Sequence, residues 1–342
     1  MKSQSEILLD FYGAASLHVS GPPKMIKFLR SEWAAFEVEA QRSDPDIVAE
    51  WNGGIVRGAP DRDGTELKRA GGWYKGCFWR ATVRGGNGHL EVRYSTMPPS
   101  SFLFKDSCLE PLVLSKLASE GLHGLHASSV MIRQKAWVFC GQPGSGKTVL
   151  ALIGAKNGYT VLSDDVTLLS EGRVLPYGVP PRVSPREYLT RNLPGELNPQ
   201  GTLSGVVLSS ILNHATFGKI RIPTRVRLRQ VPSPSLEGYP LGGIFLLRWG
   251  KVKPAIRLCH DKEWGLSEAV RSIPLHGASI INRLALDEPL SSKRRIALKS
   301  QLDTLVDQRR CFELDALPKM SNTGWRLLSE EVFANIEQLE LN

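Results

Sequence analysis

The alternation of hydrophobic and polar residues predicts a helix and a hairpin in the first part of the chain. Apolar side chains recur every three or four positions from Ile26 to Phe36, after a proline pair, which is typical of an amphipathic helix with proline in its first turn. Residues 77–83 and 90–94 flank a glycine-rich turn, and the second segment alternates apolar with charged residues. This pattern favours a β-hairpin with one buried face. We therefore expect a small α+β domain over residues 1–110.

Beyond residue 110 the pattern changes to an alternation of strand-like and helix-like segments. A helix is predicted to begin at Pro111 and to end before Gly121, because proline suits a first helical turn and glycine terminates helices. The apolar runs at 135–140 and 159–163 are typical of buried strands. We expect this alternation to form an α/β domain over residues 111–342.

The overall composition fits a folded globular protein. The chain has 342 residues, of which 42% are hydrophobic and 23% charged. These values exclude a largely disordered, collagen-like or coiled-coil chain. At roughly 100 to 200 residues per domain, the length agrees with two domains.

The cysteines and the first residues bear on the cellular compartment. The five cysteines are odd in number, widely spaced and free of CxxC pairs, so they indicate neither a disulfide framework nor a zinc knuckle. The first residues do not have the pattern of a signal peptide, and no apolar run approaches the roughly 18 to 20 residues that span a bilayer. We therefore expect a cytoplasmic protein.

The strongest chemical signal is a complete phosphate-binding loop that matches the pattern GxxxxGK[ST]. Its residues are Gly141, Gln142, Pro143, Gly144, Ser145, Gly146, Lys147 and Thr148. In such a loop the glycines let backbone N–H groups turn towards an anion, the lysine adds a positive charge for the outer phosphates, and the hydroxyl is a ligand for Mg²⁺. A strand-like run precedes the loop and helix-forming residues follow it, so the sequence predicts binding of a nucleoside triphosphate and Mg²⁺.

An acidic pair and a histidine are the candidate catalytic residues. Asp164 and Asp165 follow an apolar run shortly after Lys147, and a strand next to the loop strand would deliver them to the ligand-binding edge of an α/β sheet. One carboxylate would then serve as a general base and the other would lie near Mg²⁺. The alternative is a pair that only caps a turn or helix. His126 stands immediately before a predicted strand, and by itself it would more often be a packing residue.

The joint spacing of these elements resembles the catalytic domain of HPr kinase/phosphorylase and of the wider HPr kinase-like group. That family has a histidine about fifteen residues before the first glycine of its loop, and an aspartate pair seventeen and eighteen residues after the lysine. His126, Gly141, Lys147 and the pair Asp164 and Asp165 occupy these positions. The resemblance covers residues 126–165.

The resemblance implies a fold related to phosphoenolpyruvate carboxykinase and transfer of phosphoryl from ATP, with Mg²⁺, to a serine hydroxyl. It implies that Asp164 is the base, that Asp165 lies near the metal and that His126 lies close to the transferring phosphate. The founding family commonly forms hexamers, so homo-oligomeric assembly is left open. The first hundred residues do not resemble the N-terminal domain of that family. A divergent member that acts on a peptide, protein or amino-acid-like acceptor, in a specialised biosynthetic pathway, therefore fits better.

Basic residues account for a formal net charge of +9, and several of them lie in residues 219–229. Arg225 and Arg227 alternate with apolar residues, so on a strand they would share one face. One interpretation is a groove that binds triphosphate or an acidic acceptor, and the other is a solvated edge strand. Arg182 also has two interpretations, as a phosphate contact or as a surface residue. Because no nucleic-acid-binding motif accompanies the charge, nucleic acid is the less favoured partner.

The sequence is compatible with three classes of function. The leading hypothesis is a kinase that transfers the γ-phosphoryl group of ATP to a hydroxyl of a peptide, protein or small molecule. A second is a small-metabolite kinase, although those enzymes usually begin at the loop strand, whereas about 140 residues precede it here. A third is a non-catalytic nucleotide-binding protein with a regulatory or assembly role.

Overall fold

The structure is a computed structural model, and it places the described residues in two compact units that divide between His123 and Gly124. The described residues are 5–39, 44–51, 67–74, 77–86, 89–97, 101–142, 144–179, 181–183, 224–225, 235, 237–249, 254–259, 296, 299–300, 303–304, 307–308, 310–316, 320 and 322–341. Each unit contains a mixed sheet, so the protein belongs to the mixed α/β class.

The first unit is built on a six-stranded sheet in the order β1-β2-β3-β6-β5-β4. Its strands are β1 (Ser5–Phe11), β2 (Ala15–Gly21), β3 (Ile47–Trp51), β4 (Leu67–Tyr74), β5 (Cys77–Gly86) and β6 (His89–Met97). β2, β3 and β6 run parallel, and the remaining neighbours pair antiparallel. The predicted hairpin is confirmed as β5 and β6.

The helices of this unit pack against the sheet and confirm the helix predicted after the proline pair, whereas the helical segment predicted to begin at Pro111 already begins at Ser101. They are α1 (Pro23–Glu32), α2 (Ser101–Phe104) and α3 (Glu110–Ser119), with a 3₁₀ turn at Ala34–Phe36 and a π-helical turn at Lys105–Leu109. The apolar stripe of α1 is buried, and the chain leaves α3 through Gly121, whose φ of +86° favours glycine. Because α3 packs against β2, the division between the units lies after α3 rather than at its first residue, where the sequence-based boundary stands.

The second unit is built on a nine-stranded sheet, whose first strand along the chain begins one residue before the division between the units. Its strands are β7 (His123–Leu125), β8 (Ala127–Ile132), β9 (Lys135–Gly141), β10 (Thr160–Ser163), β11 (Thr167–Ser170), β12 (Arg173–Leu175), β15 (Tyr239–Trp249), β16 (Ala255–Leu258) and β17 (Cys311–Ala316). The main path runs β10-β8-β9-β15-β12-β11-β7, while β17 pairs with β15 and β16 pairs with β17. β9, β15 and β17 are parallel.

The central strands of this sheet are buried on both faces, which explains their continuous apolar runs. On β9, Trp137 and Phe139 pack with α4 (Lys147–Lys156) and α5 (Asn322–Leu339) on one face. Val138 and Cys140 pack on the other face. The predicted strand, loop and helix around residues 141–148 are therefore confirmed as β9, its loop and α4.

The sequence-based expectation that the strand before the aspartates lies next to the loop strand is wrong. β10 pairs with β8, and β8 separates it from β9. Both pairings are antiparallel, so β9 and β10 run in the same direction while β8 runs in the opposite one. The C-terminal ends of β9 and β10 and the N-terminal end of β8 consequently meet at one edge of the sheet.

A short two-stranded sheet joins β13 (Arg182–Val183) to β14 (Thr224–Arg225). Among the described residues, no helix combines the length and the apolar character that crossing a lipid bilayer requires.

Candidate functional site

The glycine loop begins where β9 ends, and its geometry requires glycine. A side chain at Gly141 would bring its Cβ to 2.6 Å from the carbonyl oxygen of Leu247 and 2.8 Å from Ser145 Oγ. Gly144 and Gly146 have φ angles of +84° and +104°, which other residues rarely adopt. The glycine spacing of the pattern thus corresponds to real steric limits in this chain.

A tryptophan from the last helix packs directly on the loop. Trp325, near the start of α5, is buried, and its ring would lie 2.0 Å from a Cβ at Gly146. Only a residue without a side chain leaves room for the ring. The C-terminal helix therefore helps to set the position of the loop, although the two segments are far apart in the chain.

Lys147 is buried at the first position of α4, with 5% of its surface exposed. Its Nζ donates to the carbonyl oxygens of Gly141 at 2.7 Å and Gln142 at 3.0 Å. Burial lowers the pKa of Lys147, and the nearby charges of Asp164 and Asp165 act in the opposite direction. The loop therefore holds a positive charge in a partly desolvated position, which favours binding of an anion.

The rest of the loop also fits an anionic ligand. The hydroxyl of Ser145 is buried and makes no hydrogen bond to the part of the chain that the structure describes. α4 begins at Lys147 directly after the loop and has no side-chain cap on its first N–H groups. The first turn of a helix attracts anions through its N–H groups and dipole, so the loop and α4 together have the character of a phosphate site.

Thr148 and Asp164 form a polar contact between the loop helix α4 and the end of β10. The Thr148 hydroxyl lies 2.9 Å from Asp164 Oδ1 and 3.2 Å from Oδ2. The hydroxyl of Ser128, on β8, donates to Asp164 Oδ1 at 2.5 Å. Asp164 itself is only 2% exposed. This carboxylate is therefore anchored inside the sheet edge and oriented towards the loop helix.

Asp165 has the opposite environment, because the chain turns sharply at this residue. Its φ is +68°, and the N–H of Val166 donates to the carbonyl oxygen of Asp164 at 2.8 Å, which closes a three-residue turn. Such turns with positive φ are rare and strained, and strain of this kind is concentrated at functional sites. The Asp165 side chain is 42% exposed, and its Oδ1 lies 3.1 Å from His126 Nε2. The turn thus separates two sequence neighbours into a buried and an accessible carboxylate.

The donor set around Thr148 fits Mg²⁺. Hydroxyl and carboxylate oxygens are the hard ligands that this ion prefers, and Mg²⁺ is usually held by one or two protein groups together with phosphates and water. Within the described ranges, no group of three or more histidine, cysteine or acidic side chains is arranged to hold a metal. Thr148 and Asp164 therefore suit a shared metal and phosphate site rather than an all-protein metal cage.

The structure brings most of the predicted site residues together. His126, Lys147, Thr148, Asp164 and Asp165 lie at the edge where β8, β9 and β10 meet. Pro143 lies outside the described residues.

The predicted arginines are described only in part. Arg182 and Arg225 are direct partners across the antiparallel β13 and β14 pair, whereas Arg227 lies outside the described residues. The N–H of Tyr177, shortly before β13, donates to Ser163 Oγ at 2.9 Å. The segment that leads to Arg182 is therefore tied to the end of β10.

Two residues of the site were missed by sequence reasoning. Ser128 stands with Ser129 in an otherwise apolar strand directly after His126, and a buried hydroxyl pair in such a strand is a usable signal. Trp325 has no local signal, because its role arises only from the packing of α5 on Gly146.

Comparison of the chain with models of known protein families and with curated protein sequences finds no match.

Proposed function

We propose that the chain is an ATP-dependent kinase that transfers the γ-phosphoryl group to a hydroxyl of a peptide, protein or small-molecule acceptor. The observation that carries the proposal is the meeting of three features at one sheet edge: the glycine loop, the Thr148 contact with Asp164, and the His126 contact with Asp165. A phosphate site beside one buried and one accessible carboxylate suits phosphoryl transfer to a hydroxyl. A serine hydroxyl is the first acceptor to test, since the HPr kinase-like resemblance implies it.

In this proposal the loop amides and Lys147 hold the outer phosphates, and Thr148 with Asp164 holds Mg²⁺. The metal, when bound, neutralises charge on the phosphate oxygens. The acceptor oxygen forms a bond to the γ-phosphorus while the bond from that phosphorus to the bridging oxygen of ADP breaks. Asp165 takes the proton from the acceptor hydroxyl. His126 holds the Asp165 carboxylate in place for that transfer.

The proposed roles of the two aspartates are the reverse of those that the resemblance implied. Asp164 is buried and hydrogen-bonded to Thr148, which suits a carboxylate that assists the metal and cannot meet an acceptor. Asp165 is accessible and lies beside His126, which suits a base that must reach a hydroxyl.

The central experiment measures phosphoryl transfer from Mg²⁺-ATP to a panel of serine peptides, free serine and sugars. Asp165→Asn is expected to lower kcat by at least about 100-fold, because general-base catalysis contributes this much, while nucleotide binding with Mg²⁺ is retained. Asp164→Asn is expected instead to weaken the Mg²⁺-dependent part of nucleotide binding. Transfer at the wild-type rate by Asp165→Asn would overturn the assignment of the base.

A matched control is present in the first unit, where Asp44 Oδ2 lies 2.9 Å from His89 Nε2 in an exposed pair. Asp44→Asn is expected to leave transfer and nucleotide binding unchanged. If the wild-type chain binds nucleotide but phosphorylates none of the acceptors, the non-catalytic alternative is favoured. If only sugars are phosphorylated, the small-metabolite alternative is favoured.

The arginines are proposed contacts of the acceptor or its phosphate. Support comes from the backbone register, in which Arg182 and Arg225 are paired residues of β13 and β14, and from the suitability of arginine for a phosphate or carboxylate. Separate changes of Arg182, Arg225 and Arg227 to alanine are expected to raise the acceptor KM with little change in kcat. An unchanged acceptor KM in all three variants would favour the interpretation that these arginines lie on a solvated strand.

A further inference from the structure

Two buried hydroxyls interrupt the apolar pattern of β8 next to the site. Ser128 and Ser129 are both fully buried, although this strand lies in the interior of the sheet between β9 and β10. A hydroxyl in such a position costs free energy unless it forms a hydrogen bond. The two hydroxyls have different hydrogen-bond partners. Ser128 donates to Asp164 Oδ1, whereas Ser129 Oγ accepts from Thr167 Oγ1 at 3.3 Å.

The bond from Ser128 constrains Asp164 from the side of the strand. Thr148 contacts both oxygens of the carboxylate from the loop helix, and Ser128 contacts Oδ1 from β8. A carboxylate that is bonded from two rigid elements is restricted to one orientation.

We propose that Ser128 is a positioning residue, which holds the carboxylate of Asp164 in the orientation that assists Mg²⁺ beside Thr148. This inference rests on the proposed function, because it assumes that Thr148 and Asp164 hold the metal. It concerns a residue outside the loop and outside the aspartate pair. Ser128 acts through Asp164 and does not itself meet the nucleotide or the acceptor.

The test uses titration calorimetry of ADP binding with and without Mg²⁺, on the full chain. We expect Ser128→Ala to lower the Mg²⁺-dependent gain in affinity by about 10-fold or more, as the loss of residues that orient a metal ligand does. ADP binding without Mg²⁺ is expected to change less than about 2-fold, since Ser128 does not meet the nucleotide. Ser128→Thr keeps the hydroxyl and is expected to restore the gain.

Ser129→Ala is the matched control, because it removes the same atom at the same depth one residue along β8. It is expected to keep the full Mg²⁺-dependent gain. Urea denaturation establishes that each variant is folded. Ser128→Cys is a second variant, somewhat larger than serine, whose thiol is only a weak donor. It is expected to lose the gain as Ser128→Ala does.

The outcomes separate this inference from the proposed function. A wild-type chain that binds no ADP under either condition overturns the proposed function and the inference with it. If the wild-type chain shows a clear Mg²⁺-dependent gain in ADP affinity, and Ser128→Ala and Ser128→Cys both keep this gain, only the role of Ser128 is overturned. An equal loss in Ser129→Ala also overturns it, because the effect would then belong to the strand as a whole.

Discussion

Among the described residues, each unit buries a lysine, and the two lysines have different surroundings. Lys105, in the π-helical turn of the first unit, is fully buried and is paired with carboxylates. Its Nζ lies 2.6 Å from Glu110, 3.6 Å from Asp106 and 3.9 Å from Glu32, and 5.1 Å from the ring centre of Trp33. The protein therefore compensates this charge entirely from its own side chains.

Lys147, in the second unit, has its hydrogen bonds directed to the carbonyl oxygens of Gly141 and Gln142. Carbonyl dipoles satisfy the donors of the ammonium group but do not neutralise its charge. The lowered pKa of Lys147 expresses the resulting cost of keeping the charged form in a buried position.

The difference teaches how to distinguish a structural charge from a functional one. A buried lysine surrounded by carboxylates stabilises its own unit, and its removal leaves carboxylates without compensation. A buried lysine that donates to carbonyls contributes little to folding and is suited to an anionic ligand. The following changes test this distinction, from the largest expected effect to the smallest.

Lys105→Met should have the largest effect, a loss of about 3 to 5 kcal/mol in the free energy of unfolding, because it leaves buried carboxylates without their cation. Urea denaturation of the full chain measures it. Lys116→Ala is the control, since Lys116 is half-buried on the neighbouring helix α3 and pairs with Glu120 and Asp46. Its loss should be about 1 kcal/mol or less. Equal losses in the two variants would contradict the structural role of Lys105.

Lys147→Met should weaken ligand binding without lowering stability, which is the opposite of the result expected for Lys105→Met. ADP binding is expected to weaken by about 10- to 100-fold, because a hydrogen-bonded charge on the phosphates is lost. The free energy of unfolding should stay the same or rise, since the folded state no longer holds a buried charge. Calorimetry and urea denaturation measure the two quantities. Unchanged ADP affinity would contradict the functional role of Lys147.

Gly146→Ala tests whether the position of Lys147 depends on the residue before it. The left-handed backbone alone should cost about 1 to 2 kcal/mol, and the contact with Trp325 should add to this cost and weaken ADP binding. Gly158→Ala separates the two effects, because Gly158 also has a positive φ of +87° but has open space at its Cβ position. If Gly158→Ala and Gly146→Ala had the same effects on stability and binding, the contact with Trp325 would have no role.

The smallest effect is expected at Glu340, which pairs with the partly exposed Lys135 at 2.6 Å and with Arg310 at 2.8 Å. Burial acts to raise the pKa of Glu340, but the hydrogen bonds from Lys135 and Arg310 outweigh it and lower the pKa from its ordinary value of 4.5. The contribution of these ion pairs to the stability of the folded state is therefore complete above pH 4.5 and is lost as the pH falls through the lowered pKa of Glu340.

Glu340→Gln should lower the free energy of unfolding by about 1 kcal/mol at neutral pH, and the decline of this free energy in acid should become less steep. Urea denaturation at a series of pH values measures both changes. Glu330→Gln is the control, because Glu330 is exposed and lies 3.8 Å from Arg326. An unchanged acid decline in Glu340→Gln would assign the pH dependence to other groups.

Local pattern was sufficient to predict several elements of this fold. The helix α1, the hairpin of β5 and β6, and the succession of β9, loop and α4 all follow from periodicity, proline and glycine positions. Each depends on neighbours within a few residues, so the sequence carries the information directly. The order of strands depends on pairing between distant segments, and the placement of β10 beside β9 was accordingly wrong.

The sequence by itself determined the chemical inventory of the site: the glycine loop with Lys147 and Thr148, the aspartate pair and His126. Only the tertiary structure decided which aspartate is buried against Thr148 and which one faces His126, because that depends on the turn at Asp165. It also supplied Ser128 and Trp325, whose contacts with Asp164 and Gly146 connect segments that are far apart in the chain. Backbone conformation and packing between distant elements are the physical reasons, and neither is visible in a local pattern.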